Sequence, residues 1–315
     1  MIFKALRVVL LSPLVLMSCL PVAAQTRTVA LTFDDLPIAA TKDPAEAQSV
    51  NRVLLDALKK HHAPAIGFVN EKTVRELGRD NGKRILKQWV REGFDLGNHT
   101  FSHADLNNIT LEQFKQEIVT GENSFRPMLT EVGKTPRYLR FPYNHTGDTG
   151  EKHDSVALFL KQRGYQVAAC TIDNEDFLFN AAYIQMLAKK DDASATKLRA
   201  EYLAYTAVEI DYYASLHEHV FGREIPQVML LHANRLNADM IEKLLVIFEE
   251  KHYRFASLEA AQSDPAYRVP DTFVTKFGWM WGYRWAKELD IKVNGSLETE
   301  PPAWIAQYGK EPAKK

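Results

Sequence analysis

Two histidines four residues apart, His99 and His103, and an adjacent carboxylate pair, Asp34 and Asp35, are the side chains here best suited to chemistry. Two imidazoles and one carboxylate are a common catalytic zinc set that leaves a coordination position open for water. The histidine spacing serves one metal if the chain turns helically, because residues i and i+4 share a helix face. On an extended strand the two rings would lie roughly 13 Å apart. Either Asp34 or Asp35 supplies the carboxylate. At a strand end their side chains point to opposite sides, so one ligates the metal while the other acts as a base. Taken singly, such a histidine pair is more often structural and such an aspartate pair more often a cap. What decides is whether the fold gathers them.

The surrounding sequence supplies that fold. Thr28–Phe33, Ala65–Val69, Phe94–Asn98, Tyr138–Phe141, Gln166–Ile172, Gln227–Leu231 and Arg254–Ala256 read as strands. Between them Ala45–His61, Gly82–Arg91, Leu111–Thr130, Ser155–Arg163 and Asp239–Lys251 carry helical spacing, with Gly164 placed as a C-terminal cap. Strands alternating with helices specify βαβ units and a parallel sheet. About seven strands favour an α/β fold, a closed or nearly closed barrel. Ala181–Arg223 interrupts the rhythm as a helical insertion, with Leu198, Tyr202, Tyr205, Val208 and Tyr212 spaced for one face. In such a barrel functional groups sit at the C-terminal strand ends. Asp34, Asp35, His99, His103, Arg140, Asp173, Asp176 and His232 all fall there.

The chain has 315 residues, 46% of them hydrophobic, and 39 basic against 40 acidic side chains, which excludes a disordered or collagenous protein. Near-zero net charge gives no basic stripe for nucleic acid. Lys4 and Arg7, the apolar run Val8–Leu20 and the small residues Val22-Ala23-Ala24 read as a signal peptide over 1–24. A periplasmic or secreted protein is expected, with no transmembrane segment in the mature chain. Cys19 follows Leu16-Met17-Ser18, a weak likeness to a lipoprotein processing box that would give a lipid anchor; cleavage after Ala24 is preferred. Cys170 is then the single thiol and reads as a buried apolar residue.

Thr32-Phe33-Asp34-Asp35, His99-Thr100-Phe101-Ser102-His103, Arg140-Phe141-Pro142-Tyr143, Asp173-Asn174-Glu175-Asp176-Phe177 and Leu230-Leu231-His232 occur in this order. Together they resemble the five motifs of the polysaccharide deacetylases (NodB-homology domain, carbohydrate esterase family four), over roughly residues 28–262. The resemblance implies a distorted (β/α) barrel of about seven parallel strands and metal-dependent removal of acetyl groups from acetylated carbohydrate. It implies Asp35, His99 and His103 as metal ligands, Asp34 as general base and Arg140 as the residue holding that base. It implies the Tyr143 N–H as oxyanion donor, His232 as general acid, Asp176 as its partner and Leu230 as the wall beside the acetyl methyl. Zinc is the expected metal, with cobalt, nickel or manganese as alternatives. The motifs depart from the family pattern at Leu36-Pro37, Phe141, Asn144 and Phe177, residues expected to shape the substrate groove.

The expected organisation is a signal peptide (1–24), a catalytic barrel (25–266) with the insertion at about 181–223, and an aromatic-rich extension (267–315). The leading function is an N-deacetylase of peptidoglycan-type or chitin-type amino-sugar polymers. An O-acetyl xylan esterase using the same residues and a silent carbohydrate-binding barrel are the competing readings. Phe277, Trp279, Trp281, Tyr283 and Trp285 are read as a clamp packing on the barrel, His145 as a surface loop residue, and His61, His62, His217 and His219 as surface helix positions.

Overall fold

The computed structural model describes residues 27–310. The leader 1–24 and Cys19 lie outside the described residues. In chain order the elements are β1 (Arg27–Leu36), α1 (Pro44–Lys60), β2 (Ala65–Val69), α2 (Glu71–Glu76), α3 (Arg79–Arg91), β3 (Asp95–Asn98), α4 (Leu111–Gly121), α5 (Phe125–Glu131) and β4 (Tyr138–Leu139). They continue as α6 (Gly150–Gln162), β5 (Gln166–Val167), α7 (Asp176–Lys189), α8 (Asp192–Phe221), β6 (Gln227–His232), α9 (Arg235–Glu250), β7 (Tyr253–Ala256), α10 (Leu258–Gln262), α11 (Trp281–Glu288) and α12 (Ala303–Lys310).

Every strand pairing is parallel, in the order β5-β4-β3-β2-β1-β6, with β7 added against the start of β1. The segment after β5 then reaches β6 through a single bridge, Ile172 to Met229. That contact curls the two edges of the sheet toward each other, giving the expected distorted barrel. Both faces of β1 are covered, as a parallel sheet requires. Val29, Leu31 and Phe33 pack outward with the helices. Ala30 packs inward with Ile66, Phe68, Tyr138, Ala168 and Val228.

Several elements differ from the sequence expectation. Leu111–Thr130 is two helices, α4 and α5, because the chain turns at Glu122. Glu122 is drawn off to the Tyr165 hydroxyl and to Arg126 and Arg163. The strand expected over Gln166–Ile172 keeps ladder pairing only at its start. Tyr138–Phe141 likewise pairs only over its first two residues. Helix α2 went unread because six residues carry too little periodicity. The insertion is helical as expected, formed by α7 and the 30-residue α8. His217 is fully buried on α8 rather than exposed, and burial pushes its ring down to about 3, so it stays neutral. His61 is also largely buried, between Glu242 and Glu249.

Asn51 on α1 ties the first strand's exit to the helix layer. Its amide donates to the Pro37 carbonyl at 2.6 Å, and its oxygen accepts from the buried Trp89 indole of α3 at 2.8 Å. The Trp89 ring meets Phe33 edge-on at 5.8 Å. Trp89→Phe therefore strands the Asn51 oxygen in the core. The expected cost is about 1–3 kcal/mol of stability, read by urea unfolding with an unchanged slope; no loss would show that Asn51 finds another donor.

Candidate metal centre and active site

One parity rule places the site. In β1 the inward positions are 30, 32 and 34, so the strand ends with Asp34 inside the barrel mouth. Tyr138 points inward, and Arg140 follows at the same parity. Val228 points inward, and Leu230 and His232 continue the series. In β3 Leu96 packs outward, which leaves Gly97 and then His99 facing in. A Cβ on Gly97 would come within 2.4 Å of the Phe68 ring, so the interior has no room for a side chain there.

Asp35 breaks the rule and joins the site anyway. Strict alternation would send it to the opposite face from Asp34. Instead Asp35 has φ 60°, and the β1–β2 register shifts between Phe33 and Leu36. The bulge turns both carboxylates to the same place: Asp34 Oδ2 lies 3.8 Å and Asp35 Oδ1 3.7 Å from His99 Nε2.

The histidines also meet by an unexpected route. Residues 99–103 form a bend, not a helical turn, with positive φ at Thr100 (66°) and His103 (58°). The ring centroids are 4.8 Å apart. Helix α4 holds this bend. Glu117 accepts from the Ser102 N–H and hydroxyl at 2.6 and 2.9 Å, while the bare Gly121 lets the helix touch the Thr100 backbone. Sequence reading missed both residues; a glycine ending a helix that follows the histidine motif was the available signal.

The donor set fits a divalent cation. His99 Nδ1 bonds to the Arg140 carbonyl at 2.8 Å, which places the proton on Nδ1 and the lone pair on Nε2. That Nε2 is buried and has no hydrogen-bond partner. Burial, followed by the nearby His103, lowers the His99 pKa well below normal, so the ring is neutral and ready to ligate. His103 Nε2 stands 3.8 Å from Asp35 Oδ1. Asp35, His99 and His103 thus offer one atom each, all within 4.8 Å of one another.

Asp34 sits beside this set without belonging to it. Burial raises its pKa, and the Arg140 guanidinium, 3.5 Å from Oδ2, opposes the rise. Its Oδ1 is buried and lacks a hydrogen-bond partner. Across the mouth His232 Nδ1 bonds to Asp176 at 2.6 Å. Burial disfavours the charged His232 ring, but the Asp176 carboxylate overcomes this and raises it to about 10. Asp176 also accepts from the His232 N–H (2.8 Å), Asn234 (3.1 Å) and Asn237. Asn234 and Asn237 are further residues that the sequence reading did not single out.

These groups face a cleft of about 430 Å³ that also includes Tyr143, Asn144, Phe177 and Leu230. Arg140 and Asp176 stand behind its wall. Tyr143 and Asn144 are both left-handed, with φ 58° and 54°. The Asn144 and His145 N–H groups bond back to Phe141 and Pro142, and neither bond uses the Tyr143 N–H. The C-terminal strap braces this turn. Gly278 passes so close that a Cβ there would lie 1.8 Å from the Tyr143 carbonyl oxygen. The buried Arg284 grips Asp271 through Nη1 at 2.9 Å and reaches the Asn144 carbonyl at 3.4 Å.

Among the aromatic residues of this strap, Trp281 and Trp285 pack as the expected clamp, while Phe277 and Trp279 stay exposed. His145 bonds to Asp105 at 2.8 Å and tilts against Tyr143, outside the ligand group. Cys170 is buried as expected, with its thiol against Asn144 Oδ1.

Residues 22–168 match the family model described as polysaccharide deacetylase, so the resemblance read from the motifs holds and the chain is related to that family. The match covers the first three motifs; the Asp176 and His232 motifs lie beyond it. A chitin deacetylase of Arthroderma benhamiae is 29% identical over 150 residues, 48% of this chain and 35% of that protein. A peptidoglycan-N-acetylglucosamine deacetylase of Bacillus cereus is 26% identical over 151 residues, 47% of this chain and 46% of its own. A chitooligosaccharide deacetylase of a Bradyrhizobium species is 32% identical over 118 residues, 38% of this chain and 47% of its own. The chain thus spans between about a third and a half of these relatives. Among solved structures, a mutant of a family-four pseudoenzyme superposes with a TM-score of 0.51 at 16% identity, covering 75% of this chain and 68% of that one. A polysaccharide deacetylase of Bacillus cereus gives 0.50 at 22% identity, over 73% and 91%. At these identities the likeness establishes the fold alone.

The ligand set carries its own test. Alanine at Asp35, His99 or His103 is expected to lower affinity for zinc or cobalt at least ~100-fold, measured by equilibrium dialysis and by the cobalt absorption spectrum. Asp34→Asn should leave that affinity within a few-fold. A variant of His99 that binds cobalt as tightly as the parent would remove the site.

Proposed function

We propose that this chain is an exported, metal-dependent polysaccharide deacetylase that hydrolyses acetamido groups of amino-sugar polymers or oligomers of the peptidoglycan or chitin type. The observation carrying this reading is the convergence at one barrel mouth of a ligand triad, a separate buried carboxylate and a histidine–aspartate pair. The names of the relatives support the substrate class, since they act on chitin, chitooligosaccharide and peptidoglycan. No helix among the described residues is long and apolar enough to cross a membrane. We further assign residues 25–266 to the catalytic barrel, with the insertion near 181–223, and 267–315 to an extension that braces it.

Asp35, His99 and His103 would hold the cation, zinc first and cobalt, nickel or manganese as alternatives. Bound there, a divalent cation supplies Lewis-acid polarisation of the acetyl carbonyl and acidifies the attacking water. The protein's own groups perform the proton transfers. Asp34, kept ionised by Arg140, takes the proton of the water as its oxygen bonds to the acetyl carbon. The Tyr143 N–H donates to the oxygen that gains charge. His232, protonated and fixed by Asp176, gives its proton to the amide nitrogen as the carbon–nitrogen bond breaks. Acetic acid and a neutral amine are formed, and transfer of the remaining proton between them gives acetate and the ammonium form of the sugar. Leu230 and Phe177 supply apolar surface for the acetyl methyl, and Asn144 lines the neighbouring wall.

The direct test is acetate release by the purified, zinc-loaded protein from N-acetylglucosamine oligomers, peptidoglycan and acetylated xylan side by side. Release from an amino-sugar polymer is expected, with Asp34→Asn slower by about 10²–10⁴-fold. Release from xylan alone would transfer the same residues to an O-acetyl esterase. A second test uses pH. The acid must carry its proton, so activity is present below the His232 pKa and lost as pH rises through it. Removing the carboxylate that raises that pKa, by Asp176→Asn, should move the alkaline limb of kcat/KM to lower pH. An unmoved limb would assign it to another group.

A further inference from the structure

A second cavity, of about 580 Å³, adjoins the cleft and shares Asp173 and Gly278 with it. Its walls are aromatic and apolar: Trp279, Tyr283, Tyr213, Met280, Ile291 and Val293. Set among them are three carboxylates, Asp173, Glu175 and Glu298, with Lys287 as the one basic lining residue. Glu298 accepts from the Tyr213 and Tyr283 hydroxyls. A fourth carboxylate, Glu209, lies one turn before Tyr213 on the same face of α8 and is buried. Neither of its oxygens has a well-formed hydrogen bond, and only Thr299, next to Glu298, comes close. Among the described residues no Lys or Arg forms an ion pair with any of the four. Buried or half-buried negative charge is normally paired. Here three of the four line an aromatic cavity in which Lys287 is the one basic residue.

We propose that this cavity is a subsite for an amino sugar bearing a free ammonium group, the kind of unit that the adjoining cleft would produce. The inference rests on the deacetylase reading and deepens it. An ammonium would favour the charged forms of these carboxyls, which burial alone disfavours, and the sugar's apolar face answers Trp279, which is 41% exposed at the cavity wall. A hard divalent ion would find carboxylates but a largely carbon wall, poor in the six to eight oxygen ligands that calcium takes. An acetylated unit carries no charge and gains nothing from Glu175. Chains that already hold a deacetylated unit would therefore seat best, and deacetylation would advance next to existing free amines.

The test is binding of glucosamine tetramer against N-acetylglucosamine tetramer to the full chain, by calorimetry at low salt, repeated with Glu175→Gln and Trp279→Ala. The amine tetramer is expected to bind about tenfold tighter. Each substitution should erase that margin while thermal melting shows an intact fold. Added salt should shrink it. Equal binding of the two tetramers, or a margin that survives both substitutions, overturns the proposal. So does displacement of the amine tetramer by calcium chloride at equal concentration, which would indicate a plain cation site. In kinetics, an oligomer with one free amine beside an acetylated unit should show a lower KM than its fully acetylated counterpart. Acetate release without that preference sinks the subsite and leaves the deacetylase reading standing. Amine binding with no acetate release from any oligomer does the reverse.

Discussion

The site depends on one buried guanidinium. Arg140 lies inside the barrel mouth at 1% exposure. Its Nε donates to the Ala168 carbonyl at 2.8 Å, its Nη2 to the Thr32 hydroxyl at 3.1 Å, and its plane lies over the Phe68 ring. A charge so enclosed requires an opposite charge nearby, and the group facing Nη1 is Asp34. The same residue acts through its main chain: its carbonyl receives the His99 Nδ1 proton and so fixes which nitrogen faces the cleft. One residue therefore orients both halves of the centre, the carboxylate through its side-chain charge and the imidazole through its main-chain carbonyl. Replacing it would remove the counter-charge of Asp34 and leave that carboxyl buried alone, where the protonated form is favoured.

What the sequence made legible follows from strand parity. A parallel strand inside a barrel alternates between interior and helix layer, and a polar residue at its C-terminal end on the interior parity faces the mouth. Asp34, Arg140 and His232 satisfy that rule outright. The rule fails for Asp35 and His103, which reach the site through left-handed backbone. Nothing in their types announces such a conformation, because a non-glycine residue at positive φ is held there by its surroundings. Those surroundings are distant in the chain. Glu117 and Gly121 support the histidine bend, and Gly278 with Arg284 supports the Tyr143–Asn144 turn. The same reason hid the burial of His217: its helix looked amphipathic enough to be a surface element, yet Trp285 of the strap packs across its ring at 5.9 Å.

Asp35, Thr100, His103, Tyr143 and Asn144 thus form a ring of strained backbone around the mouth. Such residues typically cost about 1–3 kcal/mol each. The barrel offsets this with ordinary packing, but the local braces come from α4 and from the extension after residue 267. The extension is consequently part of the site's architecture rather than an appendage, although the family match ends at residue 168.

The mouth is also electrically divided. On one side Asp176 is satisfied by His232, Asn234 and Asn237, which keeps its charge and that of the imidazolium in balance. On the other side burial pushes Asp173 and Glu175 up, with Asp176 adding to the rise at Asp173 and Asp173 adding to the rise at Glu175. The carboxyl groups of the two sides therefore differ in their partners: the first is hydrogen-bonded to a histidine, and the second, among the described residues, forms no ion pair with Lys or Arg. In the proposed reaction the proton leaves His232 on the amine. That transfer leaves a neutral amine, which becomes an ammonium only on taking up the proton that remains on the acetic acid. Under the proposed reading that ammonium would then settle on the side of Asp173 and Glu175, among groups that take no part in breaking the bond.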